Sequence, residues 1–114
     1  MKINKELIKG STTILILSLL SRKEMYGYEM IKEMEIKSKG VFQFKEGTLY
    51  PILHGLENEN YIESYWDEGE GRRKRKYYRI TDEGRDILKE KEEEWKLFST
   101  TVDKVLGGEN LCSQ

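Results

Sequence analysis

The chain has 114 residues, of which 36% are charged and 37% hydrophobic, with 20 Lys+Arg against 21 Asp+Glu. Such a chain is one small domain with a largely solvated surface, for which self-association is an expected source of extra stability. One Cys and one His exclude a disulfide framework and a Cys-based zinc site, so neither a metal nor a cofactor is expected, and no nucleophile–base pair or Gly-rich phosphate loop suggests an enzyme.

From Lys5 to Ser21 the apolar residues Leu7, Ile8, Ile14, Leu15, Ile16, Leu17, Leu19 and Leu20 start at helical spacing and then surround the helix. A helix apolar all round needs cover on more than one side, and a second subunit is the expected source. The run from Ile14 to Leu20 contains Ser18 and falls far short of the roughly 20 residues of a bilayer span. Glu6 in the would-be basic region and Ser21-Arg22-Lys23-Glu24 after the run argue against a signal peptide, so a cytoplasmic location is expected.

A second helix is predicted from about Tyr26 to Lys37, because Tyr26, Met30, Ile31 and Met34 recur at three and four residues and Gly40 closes the segment. A third starts near residues 46–48 and stops by Asn60, with Leu49, Ile52, Leu53 and Leu56 as its buried stripe. Thr48 is expected to cap it, and Pro51 to lie close to its start. The period then changes to two over Tyr61–Trp66 and Lys76–Thr81, flanking Gly69-Glu70-Gly71, which reads as a β-hairpin with a charged tip.

Thr81-Asp82-Glu83-Gly84 opens a long last helix, with a hydroxyl cap and acids in its first turn. Along it Leu88, Trp95 and Val102 recur every seven residues, with Phe98 and Val105 at the intermediate positions beside the charged Lys91. This seam is long enough to pack on a partner and too short to be a coiled coil alone, which predicts a dimer interface of Leu88, Trp95, Phe98, Val102 and Val105. Gly107-Gly108 ends the helix. The expected organisation is a DNA-binding unit over residues 1–81, a dimerisation helix over 82–106 in the same compact body, and a flexible tail over 107–114 in which Cys112 is inert surface.

The fold class is therefore mostly α with a small β-hairpin: a winged helix-turn-helix with one long C-terminal helix. Net charge is −1 overall, yet it divides as +3, 0 and −4 over residues 1–48, 49–81 and 82–114. The densest basic cluster, Arg72-Arg73-Lys74-Arg75-Lys76, falls at the hairpin, where a wing meets phosphates. The third helix is then the recognition helix, with Lys45 and Thr48 as contacts at its start. Tyr50 and His54, one turn apart, suit either packing or DNA, and Tyr26 can bond a backbone phosphate. His54 has no second metal-ligating residue nearby.

Met25-Tyr26-Gly27-Tyr28-Glu29, Glu46-Gly47-Thr48-Leu49-Tyr50-Pro51-Ile52-Leu53, Arg75-Lys76-Tyr77-Tyr78-Arg79-Ile80-Thr81 and Gly84 resemble, in order and spacing, the PadR-type transcriptional regulators across residues 5–106. The single C-terminal helix is similar to the short subgroup that includes a lactococcal multidrug-binding repressor. The resemblance implies a homodimeric repressor of a double-stranded operator with two-fold character, near its own gene or a neighbouring transporter or stress gene, released by a small aromatic effector. It also implies Trp95 at the dimer centre, with Ile14, Leu17 and Trp95 around a ligand. Many members carry a basic residue where Gly55 stands. Lys91 and Glu92 stand where the multidrug relative is apolar, so a ligand here is expected to carry polar or charged groups. The alternative function is a winged-helix module that binds protein and no specific DNA; it has no need of five consecutive basic residues.

Overall fold

The computed structural model describes residues 3–69, 71 and 73–108; Arg72 and the predicted tail from Glu109, with Cys112, lie outside the described residues. Among the described residues five helices and three strands follow in the order α1 (Lys5–Lys9), α2 (Thr12–Arg22), β1 (Met25–Tyr26), α3 (Gly27–Lys37), α4 (Glu46–Asn58), β2 (Ile62–Asp67), β3 (Arg75–Ile80) and α5 (Asp82–Val105).

The first predicted helix is two. Around Gly10 and Ser11 the hydroxyls of Ser11 and Thr12 bond back to the carbonyls of Leu7 and Lys9, at 3.4 and 3.2 Å, which offers the backbone an alternative to the helical ladder. The expected source of cover is also corrected. Ile16, Leu17, Leu19 and Leu20 of α2 are buried within the chain itself, because α2 touches α3, α4, α5 and β3.

The hairpin is joined by a third strand. Met25 and Tyr26 pair with Tyr78 and Tyr77 of β3, giving an antiparallel sheet in the order β1-β3-β2. Two residues are too few to show a period. Between β2 and β3 the register sets Ile62 opposite Ile80, Ser64 opposite Tyr78 and Trp66 opposite Lys76. These pairs share one face, and its Ile62, Tyr78 and Ile80 are buried. They meet Met30, Met34, Leu49, Leu53 and Leu56 around α2 in one core, and no polar or charged side chain is buried among the described residues.

Helix α4 begins two residues before Thr48. Its N-cap is Lys45 in extended conformation, without a side-chain cap bond, so Thr48 is an exposed residue of the first turn and not the cap. Pro51 lies inside the helix, one turn deeper than a first-position proline, and has no N–H to give the Gly47 carbonyl.

At the start of α5 the Thr81 hydroxyl accepts from the Gly84 amide at 3.0 Å and donates to the Asn60 carbonyl at 2.6 Å. The helix is thereby fastened to the turn before β2. Its end is exposed at Val105 and Leu106, and the radius of gyration is 16.0 Å where a compact chain of this length has about 13 Å.

Gly84 lies where α5 crosses that turn, and a Cβ there would collide with the Tyr61 carbonyl oxygen and stand 2.7 Å from Ile80 Cγ1. Gly84→Ala is expected to cost about 3 kcal/mol, since the colliding neighbour is backbone. Urea unfolding checks this, with Gly55→Ala, which meets nothing within 4 Å, as the control that loses no stability.

Candidate nucleic-acid interface

The sequence-predicted contact residues fall on three adjoining elements. Lys45, Thr48, Tyr50 and His54 are exposed along α4. Arg73 and Lys74 are exposed at the hairpin tip, whereas Arg75 and Lys76 are half-buried within β3. Tyr26, half-buried, ends β1 and is the N-cap of α3, where the Glu29 carboxylate accepts from its amide at 3.2 Å.

Tyr50 joins two of these elements. Its ring lies over Gly27 at the start of α3, so closely that a Cβ on Gly27 would stand 2.5 Å from the Tyr50 hydroxyl oxygen. The glycine is what lets the ring approach, and the starts of α3 and α4 are held side by side. Tyr50 thus both packs and remains 43% exposed.

Arg75 and Tyr26, predicted as separate contacts, are stacked: the guanidinium carbon is 4.6 Å from the ring centroid. The stack continues over the outer face of the sheet. Tyr26 meets Tyr77 edge-on at 5.4 Å, Tyr77 stacks on Tyr65 at 5.7 Å, and Arg79 covers Tyr65 at 5.1 Å. Two carboxylates close it, Glu63 accepting from Arg79 at 2.7 Å and Glu24 from the Tyr65 hydroxyl at 2.5 Å. The bond to Glu24 holds the Tyr65 phenol in its protonated form and pushes its pKa up to about 12. Sequence reasoning misses this row, although the alternation Arg75, Tyr77, Arg79 places those three on one face. At the tip, Lys74 pairs with Glu68 at 3.4 Å, both largely exposed, an arrangement easily exchanged for another anion.

The dimer and ligand residues separate as well. Leu88 is 7% exposed and belongs to the chain's own core, so it is not free to meet a partner. Trp95, Phe98, Val102 and Val105 are exposed, together with Leu97 and Leu106. A groove of about 690 Å3 runs between α1, the start of α2, the α3–α4 connection and α5, with Leu7, Ile14, Phe42, Lys91, Trp95 and Phe98 among its walls. Ile14 and Trp95 are thus brought together, whereas Leu17, fully buried in the core, does not reach the groove. Trp95 and Phe98 form a tilted pair with centroids 6.1 Å apart.

A short helix followed by a positioned second helix, an exposed third and a basic β-hairpin is the winged helix-turn-helix of transcriptional regulators. Residues 16–90 match the transcriptional regulator PadR-like family, and the chain belongs to it. It is 41% identical to a transcriptional regulator from Clostridium thermocellum of known structure, with a TM-score of 0.81 over 87% of this chain and 96% of that one. A PadR-like transcriptional regulator from Bacillus cereus is 36% identical, with a TM-score of 0.79 over 91% and 99% of the two chains. Over 106 residues the chain is also 36% identical to an uncharacterised protein of Lysinibacillus sphaericus, covering 93% of this chain and 97% of the relative. The family is one of transcriptional regulators, not enzymes. Among the described residues no helix is long and apolar enough to cross a membrane.

Proposed function

We propose that the chain acts as a homodimeric repressor, in which two copies of α4 enter successive major grooves of a two-fold operator and the two wings hold the flanking phosphates. Lys45, Thr48, Tyr50 and His54 would face the groove, Tyr26 with Arg75 a backbone phosphate, and Arg72, Arg73, Lys74 and Lys76 the wing side, Arg72 by sequence alone. The genes controlled are its own or a neighbouring transporter or stress gene, and a small aromatic effector releases the DNA. The observation that carries the dimer is the exposed stripe of α5: Trp95, Phe98, Val102 and Val105, four apolar side chains on one helix that the described chain leaves at least 36% exposed. A two-fold protein then requires two like half-sites, with centres about 10.5 base pairs or a multiple apart.

Fragments of genomic DNA retained by the full chain test the reading directly, since they should share such a repeat. Replacing Arg73 and Lys74 with Ala should weaken binding to operator and random duplex alike, and lower the slope of log K against log salt by about one for each phosphate no longer neutralised. An unchanged slope takes the wing off the DNA.

Val102→Asp places a carboxylate in the stripe, and burying it without a partner should raise the dimer dissociation constant by a hundredfold or more, on the order of 3 kcal/mol. Sedimentation should then show monomer, and operator binding should fall to that of one half-site. A variant that stays dimeric would place the interface elsewhere.

For the effector, the Ile14–Trp95–Phe98 groove offers aromatic faces, with Lys91 and Glu94 at its wall to receive charged groups. Planar aromatic cations should quench Trp95 at sub-millimolar concentration in a Trp66→Phe variant, and in the unmodified chain should loosen the operator complex. Quenching without loosening would make the groove a binding site that does not control the DNA.

A further inference from the structure

We infer that Trp66 is a further DNA-contacting residue of the wing, its indole lying against the deoxyribose wall of the groove beside the one that α4 enters. The inference rests on the DNA-binding reading above. Trp66 is 62% exposed, and an indole, apolar across its face with one N–H at its edge, is suited to a surface that is itself partly apolar and partly polar. The register fixes its direction. Trp66, Ser64 and Ile62 share one face of β2 with Lys76, Tyr78 and Ile80 of β3. That face rests on α4: the Ser64 hydroxyl donates to the Glu57 carboxylate of α4 at 2.5 Å, and Ile62, Tyr78 and Ile80 are buried. Two residues further toward the tip the face outruns the body, so Trp66 looks out on the recognition-helix side of the hairpin. The opposite face already carries the Tyr26–Tyr77–Tyr65 row and leaves the indole no part in it.

The surroundings select the occupant. Trp66 stands across from Lys76, whose ammonium sits 5.7 Å from the Tyr78 ring, and near the exposed Arg73 and Lys74 of the tip. A flat apolar ring beside Lys76, with Arg73 and the exchangeable Lys74–Glu68 pair at the tip, is complementary to a duplex edge, where the hydrocarbon of the sugars is flanked by phosphates, and the indole N–H can donate to a phosphate or a minor-groove acceptor. A ring of this kind adds affinity without neutralising a phosphate, so its signature differs from that of the basic run.

Trp66→Thr keeps a residue suited to a strand and should weaken binding to a mixed-sequence duplex, long enough for two half-sites, by about tenfold with the salt slope unchanged. The same chain labelled with 5-fluorotryptophan has two fluorine signals, of which the Trp66 signal, assigned by its disappearance in the variant, should report a solvent-exposed ring in the free protein and shift on adding duplex. A Trp66 signal that stays in place while the duplex binds, or wild-type affinity in Trp66→Thr, overturns the inference. If Arg73→Ala with Lys74→Ala lowers the salt slope while Trp66→Thr is neutral, only the role of Trp66 fails. If the slope also fails to move, the wing reading itself falls with it. A Trp66 ring already shielded in the free protein would show that another protein surface covers it, and would overturn the inference as well.

Discussion

The burial of α2 is the constraint on which everything else is hung. Ile16 and Leu17 are wholly removed from water, and Leu19 and Leu20 nearly so, because α3, α4, α5 and β3 all pack against the helix. At about 1.5–3 kcal/mol for each fully buried aliphatic side chain, these four residues weigh as much as the whole net stability of a small domain. No element can shift against α2 without uncovering one of them. The recognition helix, the hairpin and the long last helix consequently share one rigid reference.

From that reference the outer surfaces follow. Leu49, Leu53 and Leu56 of α4 point inward, which commits Thr48, Tyr50 and His54 to the outside. Ile62 and Ile80 do the same for the hairpin, whose two faces become an outer row of rings and guanidinium groups and an inner face that leaves the body only at Trp66 and Lys76. Polar groups enter this scheme as local fasteners: Thr81 between α5 and the turn before β2, Ser64 on Glu57, Tyr65 on Glu24. Each spans elements already placed by apolar packing, and each net contribution is modest beside the core.

Most of this was legible because period and burial coincide. Met30 and Met34, Leu49, Leu53 and Leu56, and the alternation of Tyr61–Trp66 announced α3, α4 and the hairpin correctly, and the PadR resemblance agrees with the family match. Other features were not legible, each for a definite reason. β1 is two residues long, a single strand period with no repeat to recognise. The α1–α2 break depends on hydroxyls competing for carbonyls, which an apolar pattern does not register. Leu88 repeats with Trp95 and Val102 at seven residues, but a heptad says only that residues share a helix face; whether that face meets the chain's own core depends on what lies opposite, and here Leu88 falls on the core while Trp95 falls on an open groove. Leu17 misled similarly, since being apolar and near a groove's sequence neighbours does not bring a side chain to the groove's wall.

Pro51 has a consequence for how α4 is held. With no amide at residue 51, the Gly47 carbonyl lacks its partner four residues on, and the first turn is tied to the remainder of the helix by one bond fewer. The Lys45 cap adds no side-chain bond. The first turn is therefore kept in place less by its own ladder than by packing: Leu49 is 1% exposed in the core, and the Tyr50 ring lies on Gly27. The angle at which the exposed start of α4 is presented is thus set from outside the helix, by what α3 offers at Gly27, and a bulkier residue there would re-aim the whole outward face.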